Sequence, residues 1–101
     1  MSDDKIVVEV QGYLADLVPN FIKNRETDVG QLIVALTDSD YAVIRHIAHD
    51  MKGVGAGYGF QYITDLGEEI SSAAKQEDAH KVKQLIEQYK NYLSCLEVKF
   101  I

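Results

Sequence analysis

The chain has 101 residues, of which 47% are hydrophobic and 26% charged, and its formal net charge is -6. That length suits one domain burying on the order of two-thirds of its unfolded surface. The acidic balance argues against nucleic acid, whose binders gather Lys and Arg on one face, and leaves protein or small-molecule partners open. No apolar run approaches the roughly 20 residues that span a bilayer, so no membrane association is expected. The first residues, Met-Ser-Asp-Asp-Lys, lack the basic-then-apolar order of a secretory signal. The single cysteine, Cys95, can close no intramolecular disulfide and cannot make a structural zinc site. The cytoplasm is the expected location.

Residues 5–11 are β-branched, carry no helical stripe and read as extended. Residues 98–101 have a similar character, so the two ends either pair as a short ribbon or simply lie over the rest. Residues 12–18 read as a short helix with Tyr13, Leu14 and Leu17 as its apolar side, and Pro19 marks a break or a new first turn. From about residue 19 to 36, Phe21, Ile22, Val29, Leu32, Ile33 and Leu36 fit a helix with one buried stripe. Gly30 costs that helix roughly 1 kcal/mol against Ala, so packing must hold it.

Residues 37–40, Thr-Asp-Ser-Asp, form a turn and supply a cap. The next helix spans about residues 40 to 54. At roughly 100° per residue, Ile44, Ile47, Ala48 and Met51 cluster within about 100° of arc. His49 falls roughly 140° from Ile44, with Arg45, Lys52 and Gly53 around it. Periodicity therefore puts the imidazole in solvent while the core anchors its helix. Gly53, Gly55, Gly57 and Gly59 should end that helix and turn the chain. A third long helix follows over about residues 59–75, with Phe60, Ile63, Leu66, Ile70 and Ala73 inward. After a turn and cap at residues 76–78, the last runs over about 79–96, with Val82, Leu85, Ile86, Tyr89, Leu93 and Leu96 inward. Short loops make neighbouring helices antiparallel. The expected fold class is all-α: an antiparallel four-helix bundle with a short extra N-terminal helix. It forms one domain over residues 1–101, with an extended segment at 1–11 and the bundle over about 12–97.

Three histidines are present, and a lone helical histidine is most often a surface or capping residue. His80, in the first turn of the last helix, gets that reading, and His46, one residue off the core stripe, is assigned no role. His49 differs in its company. A histidine that takes up phosphate needs an exposed, unprotonated ring nitrogen to attack phosphorus. It needs a cation to offset charge developing on the phosphoryl oxygens, and surroundings small enough for a partner's active site to close over the ring. His49, Lys52, and Gly53 with Ala56 offer these in turn. The plainer reading is that Lys52 is one solvated lysine among several and Gly53 simply the helix end. Two other chemistries fail on spacing. Gly-x-Gly-x-x-Gly does not occur, because its last position is Tyr58 or Phe60, and no Walker-type Gly-Lys-Ser/Thr or preceding strand is present. His46 and His49 are three apart, but without His-Glu-x-x-His support no metal site is expected, nor any cofactor.

The string Ala48-His49-x-x-Lys52-Gly53, followed by Gly59, resembles the histidine-containing phosphotransfer (HPt) family in its stand-alone form. Phe60, Leu66, Glu68 and Glu69 suit the helix that family places next, and the likeness covers nearly the whole chain. Val54, Gly55 and Phe60 depart from the family's usual small residues, while the histidine, lysine and first glycine remain. The resemblance implies phosphorelay in two-component signal transduction. An aspartyl phosphate on a response-regulator receiver domain docks over His49, Nε2 attacks in line to give phosphohistidine, and Lys52 steadies the oxygens. Arg45, Gly53 and Ala56 form the docking surround, and a second receiver later takes the group. The receiver brings the acidic residues and magnesium. A hybrid histidine kinase is a further expected partner, and the chain itself, expected to be a monomer, is not an ATP-dependent kinase. The alternative is a non-phosphorylated helical adaptor that binds a receiver or kinase domain. A weaker third reading is a dimerisation unit using apolar surface at Tyr58, Tyr62 and Tyr92.

Overall fold

A computed structural model describes residues 5–101. Strand β1 (Ile6–Val10) opens the described chain, followed by a 3₁₀ turn at Gly12–Leu14. Four helices come next: α1 (Val18–Thr37), α2 (Tyr41–Val54), α3 (Gln61–Lys75) and α4 (Ala79–Cys95). A second 3₁₀ turn, Ala56–Tyr58, links α2 to α3, and strand β2 (Leu96–Phe100) closes the chain.

Local sequence explains where the helices start and stop. Pro lies in the first turn of α1, where its missing N–H leaves no bond unmade. The carboxylate of Asp40 accepts the Val43 N–H at 3.2 Å and caps α2, and Asp78 does the same for Lys81 N–H at 3.1 Å at the head of α4. Between α2 and α3, Gly59 adopts φ +93°, a conformation open to glycine and costly for a residue with a side chain.

The helices bury the apolar faces that their periodicity implies. Ile44, Ala48, Met51, Ile63, Ile70, Val82 and Tyr89 are fully enclosed, and Leu32, Leu66 and Leu85 nearly or fully so. The contact between α2 and α3 is the most extensive in the bundle. Gly67 sets its closeness. A Cβ at this residue would lie 2.7 Å from the Ala48 carbonyl oxygen, 2.9 Å from Lys52 N and 2.9 Å from Met51 Cβ. The backbone of α2 therefore rests directly on α3 along the turn that carries His49.

One buried cluster is polar. Asp28 lies between α1 and α4, where it accepts from the Tyr89 hydroxyl at 3.3 Å and sits 2.7 Å from Arg25 Nε. The Arg25 N–H is not aimed along that line, so the pair is held by charge more than by a directed bond. The Arg25 guanidinium also covers the Phe21 ring at 5.0 Å. Burial pushes the Asp28 carboxyl above its ordinary value and Arg25 opposes the rise; burial likewise pushes the Tyr89 hydroxyl up.

Four expectations differ from the structure: the N-terminal helix, the purely helical class, the place of Leu96 and that of Ile33. Of the short N-terminal helix expected over residues 12–18 the structure shows a single 3₁₀ turn, Gly12–Leu14, and Tyr13 is 83% exposed. Its backbone is committed elsewhere, since Gly12 N–H donates to the Ile101 carbonyl at 2.8 Å. The ends do pair, so the fold is not purely helical. Strands β1 and β2 run parallel, with Ile6 opposite Leu96 and Val10 opposite Phe100, and Val10 enters the core. Leu96, assigned by periodicity to the last helix, is the first residue of β2. On α1 the buried stripe passes through Val18, Asp28 and Ala35 as well as Phe21, Val29 and Leu32, while Ile33 is exposed.

Candidate functional site

Helix α2 places the site. Ile44, Ile47, Ala48 and Met51 occupy its buried face, with at most 6% of any of them exposed. His49, Lys52, Gly53 and Arg45 all lie on its exposed side. Residues three and four apart neighbour each other on a helix, so Arg45, His49, Lys52 and Gly53 share one surface. Among the described residues, His49 makes no side-chain hydrogen bond or ion pair that would tie up either ring nitrogen. Lys52 lies in the last turn, where the carbonyl end of the helix favours a cation.

His49 is exposed, and the surface at Gly53, four residues on, is open. A Cβ built on Gly53 would meet nothing within 4 Å. Ala56 is exposed and lies past the helix end, in the 3₁₀ turn, so it borders the site from the loop and does not share the helix face. His46, one turn before His49, faces its own neighbour: Nε2 lies 3.7 Å from Asp50 Oδ2. His80 is exposed in the first turn of α4, as expected of a plain surface residue. Among the described residues, no three of His, Cys, Asp and Glu stand close enough together to hold a metal ion, and no helix is long and apolar enough to cross a membrane.

The tyrosines read as spare apolar surface are largely used inside the molecule. Tyr58 stacks on Phe21 with ring centres 4.4 Å apart, and Tyr92 is buried against Tyr62 at 4.6 Å. Burial pushes the Tyr92 hydroxyl up to about 12. Only Tyr62 keeps a substantial exposed share, which removes most of the patch a dimerisation unit would need.

Sequence reasoning missed three residues that hold the site in place: Gly55, Thr64 and Gly67. Gly55 is buried, and a Cβ there would lie 2.7 Å from both Thr64 N and Thr64 Oγ1. The signal available was a glycine inside an otherwise regular helical pattern at residue 67, which marks a close approach of backbones.

Fold and site together define a class: small helical bundles that hold a histidine out to solvent with a basic residue a turn away. The family model for the Hpt domain matches residues 16–97, and the chain belongs to that family. Its members serve histidine phosphotransfer in phosphorelay signalling, as carriers without a kinase activity of their own. Comparison with curated proteins and with solved structures gave no match.

Proposed function

We propose that His49 accepts a phosphoryl group from an aspartyl phosphate on a response-regulator receiver domain and passes it to another receiver. The observation that carries this reading is the exposed His49 on a helix whose opposite face is sealed in the core. The neutral ring, with its proton on Nδ1, attacks phosphorus through Nε2. The N–P bond forms as the P–O bond to the aspartate breaks, and the carboxylate leaves with the electron pair. Lys52 offsets the charge spread over the phosphoryl oxygens in flight. Gly53 has no side chain and Ala56 only a methyl, so the rim of a receiver's active site can close over the ring. Arg45 faces the acidic surround of the receiver's aspartate, and metal chemistry falls to that partner.

A groove between α1 and α2 offers a further apolar surface, on the flank of α2 away from Lys52. Val34 and Val43, 61% and 42% exposed, line it together with His46 and Asp38. Of the two histidines on α2 it is His46, not His49, that lines it. The same groove would serve a non-phosphorylated adaptor, and the histidine separates the two readings. The short turns between helices support an antiparallel bundle acting as one domain; its place of action on this reading is the cytoplasm, as a monomer.

The test is incubation with a phosphorylated receiver. Label should move onto the protein in an acid-labile, alkali-stable form and be lost in His49→Gln. Label retained in that variant would remove His49 from the reaction. Partner binding kept in His49→Ala, with no phosphohistidine ever formed on the native chain, would favour the adaptor.

A further inference from the structure

The end of α2 depends on a side chain from another helix. Its last ordinary bond runs from Gly55 N–H to the Met51 carbonyl at 3.1 Å. The next in the series would join Ala56 N–H to the Lys52 carbonyl. In its place stands the Thr64 hydroxyl of α3, which accepts from Ala56 N–H at 2.8 Å and donates to the Lys52 carbonyl at 3.2 Å. The hydroxyl is spliced into the backbone ladder of α2 and satisfies both groups that the missing bond would orphan. The splice requires Gly55, because a Cβ there would lie 2.7 Å from both the hydroxyl oxygen and Thr64 N, too close for either to stay in place. With Gly67 seated under Ala48–Lys52 one turn farther along α3, the segment bearing His49 and Lys52 is held from both sides of Lys52.

We propose that Thr64 is a positioning residue for phosphoryl transfer, acting through Lys52. This rests on the reading of His49 and Lys52 given above. Lysine is a flexible four-carbon arm, and its ammonium meets a phosphoryl group on His49 only if its own backbone keeps register with the histidine three residues earlier. Lys52 lies in the final turn, where helices fray, and the residues that follow are rich in glycine. The Thr64 hydroxyl clasps the Lys52 carbonyl itself, so the cation keeps its place. His49, a turn earlier and backed by Ala48 in the core, depends on the clasp much less. Loss of the hydroxyl therefore slows the chemical step and leaves the access of a donor to the ring unchanged.

The test uses phosphoramidate, a small donor that needs no receiver. His49 Nε2 bonds to phosphorus as the P–N bond breaks and ammonia leaves, and phosphohistidine is followed by phosphorus NMR. Thr64→Ala and Thr64→Val, confirmed folded by circular dichroism, should lower the maximal rate about tenfold, within the roughly hundredfold that an ångström of misplacement can cost. The donor concentration giving half the maximal rate should stay the same, and Thr64→Ser should restore the rate. In a Lys52→Ala background, Thr64→Ala should cost nothing further, because the two act as one. A wild-type rate in Thr64→Ala, or a loss that simply adds to that of Lys52→Ala, overturns the proposal while leaving the role of His49 intact. An unlabelled wild type, or equal label in His49→Gln, overturns both. Should neither hydroxyl-free variant fold, hydrogen exchange in the wild type decides: the Ala56 amide should be protected, and exchange at the rate of a free loop amide refutes the clasp.

Discussion

Two glycine-to-alanine changes in the same bundle should shift its stability in opposite directions. At Gly67 a new methyl would meet the Ala48 carbonyl oxygen at 2.7 Å and Lys52 N at 2.9 Å, both of them backbone atoms that cannot rotate away. Forcing a methyl into a packed contact costs about 1–3 kcal/mol, and against rigid backbone atoms the upper part of that range, about 2–3 kcal/mol, applies; the better helix propensity of alanine returns roughly 1 kcal/mol. Gly67→Ala should thus lose ~1–2 kcal/mol, which for a domain of this size lowers the melting temperature by about 5–15 °C. At Gly30, inside α1, a methyl would meet nothing within 4 Å. Gly30→Ala should keep only the propensity gain, up to roughly 1 kcal/mol and a melting temperature higher by about 4–8 °C. Urea unfolding and thermal melts followed by circular dichroism read both. A Gly67→Ala protein as stable as the parent would mean that α2 and α3 do not approach through this residue, and the account of how His49 is held would go with it.

Lys52→Ala should slow phosphoryl uptake from a phosphorylated receiver by ten- to a hundredfold or so, while the free energy of unfolding changes by less than about 0.5 kcal/mol, since a solvated lysine contributes little to the fold. Gly53→Leu should block receiver docking, read as lost transfer and lost binding by calorimetry, with an unchanged melting curve; a variant that still accepts phosphate at the parent rate would place the partner elsewhere. Asp28 gives a pH signature. Burial raises its carboxyl above the ordinary 3.8, so just above pH 3.8 the folded chain keeps a proton that the unfolded chain has released. Its contribution to stability must fall as pH rises through that interval. Relative to Asp28→Asn, the parent protein should lose stability from pH 3.8 upward, as measured by urea midpoints across the range. A difference that grows with pH would refute burial as the dominant influence on this carboxyl.

Much of the bundle is legible from spacing because each helix has one apolar face and each junction has its own punctuation. Ile44, Ile47, Ala48 and Met51 fix the orientation of α2, and the outward direction of His49 follows without any tertiary information. Helix α1 was harder. Arg25 and Asp28 are three residues apart and look like a solvated pair, yet Tyr89 of α4 draws them inward, which shifts the stripe and leaves Ile33 outside. Periodicity places Tyr89 in the core but does not say which partner its hydroxyl finds. The β-branched character of residues 6–10 and of the last residues makes a ribbon of the two ends one of two readings, and nothing local decides between pairing and lying over the bundle, nor gives the parallel register. Gly12, Tyr13 and Leu14 imitate a helix start, and only the bond from Gly12 to Ile101 reveals the turn. Thr64 and Gly55 were silent for a similar reason: each makes sense only when the opposite helix is in place.

The parallel ribbon has a kinetic consequence. Closing so long a stretch of chain carries an entropic penalty that grows with the logarithm of its length, and only prior assembly of the bundle brings the two strands within reach. Strand pairing is therefore a late event in folding, and weakening it should hasten unfolding far more than it delays refolding. Trimming the last six residues would release β1 along with β2, and with it Val10 from the interior. Damage at one terminus is thus felt at the other.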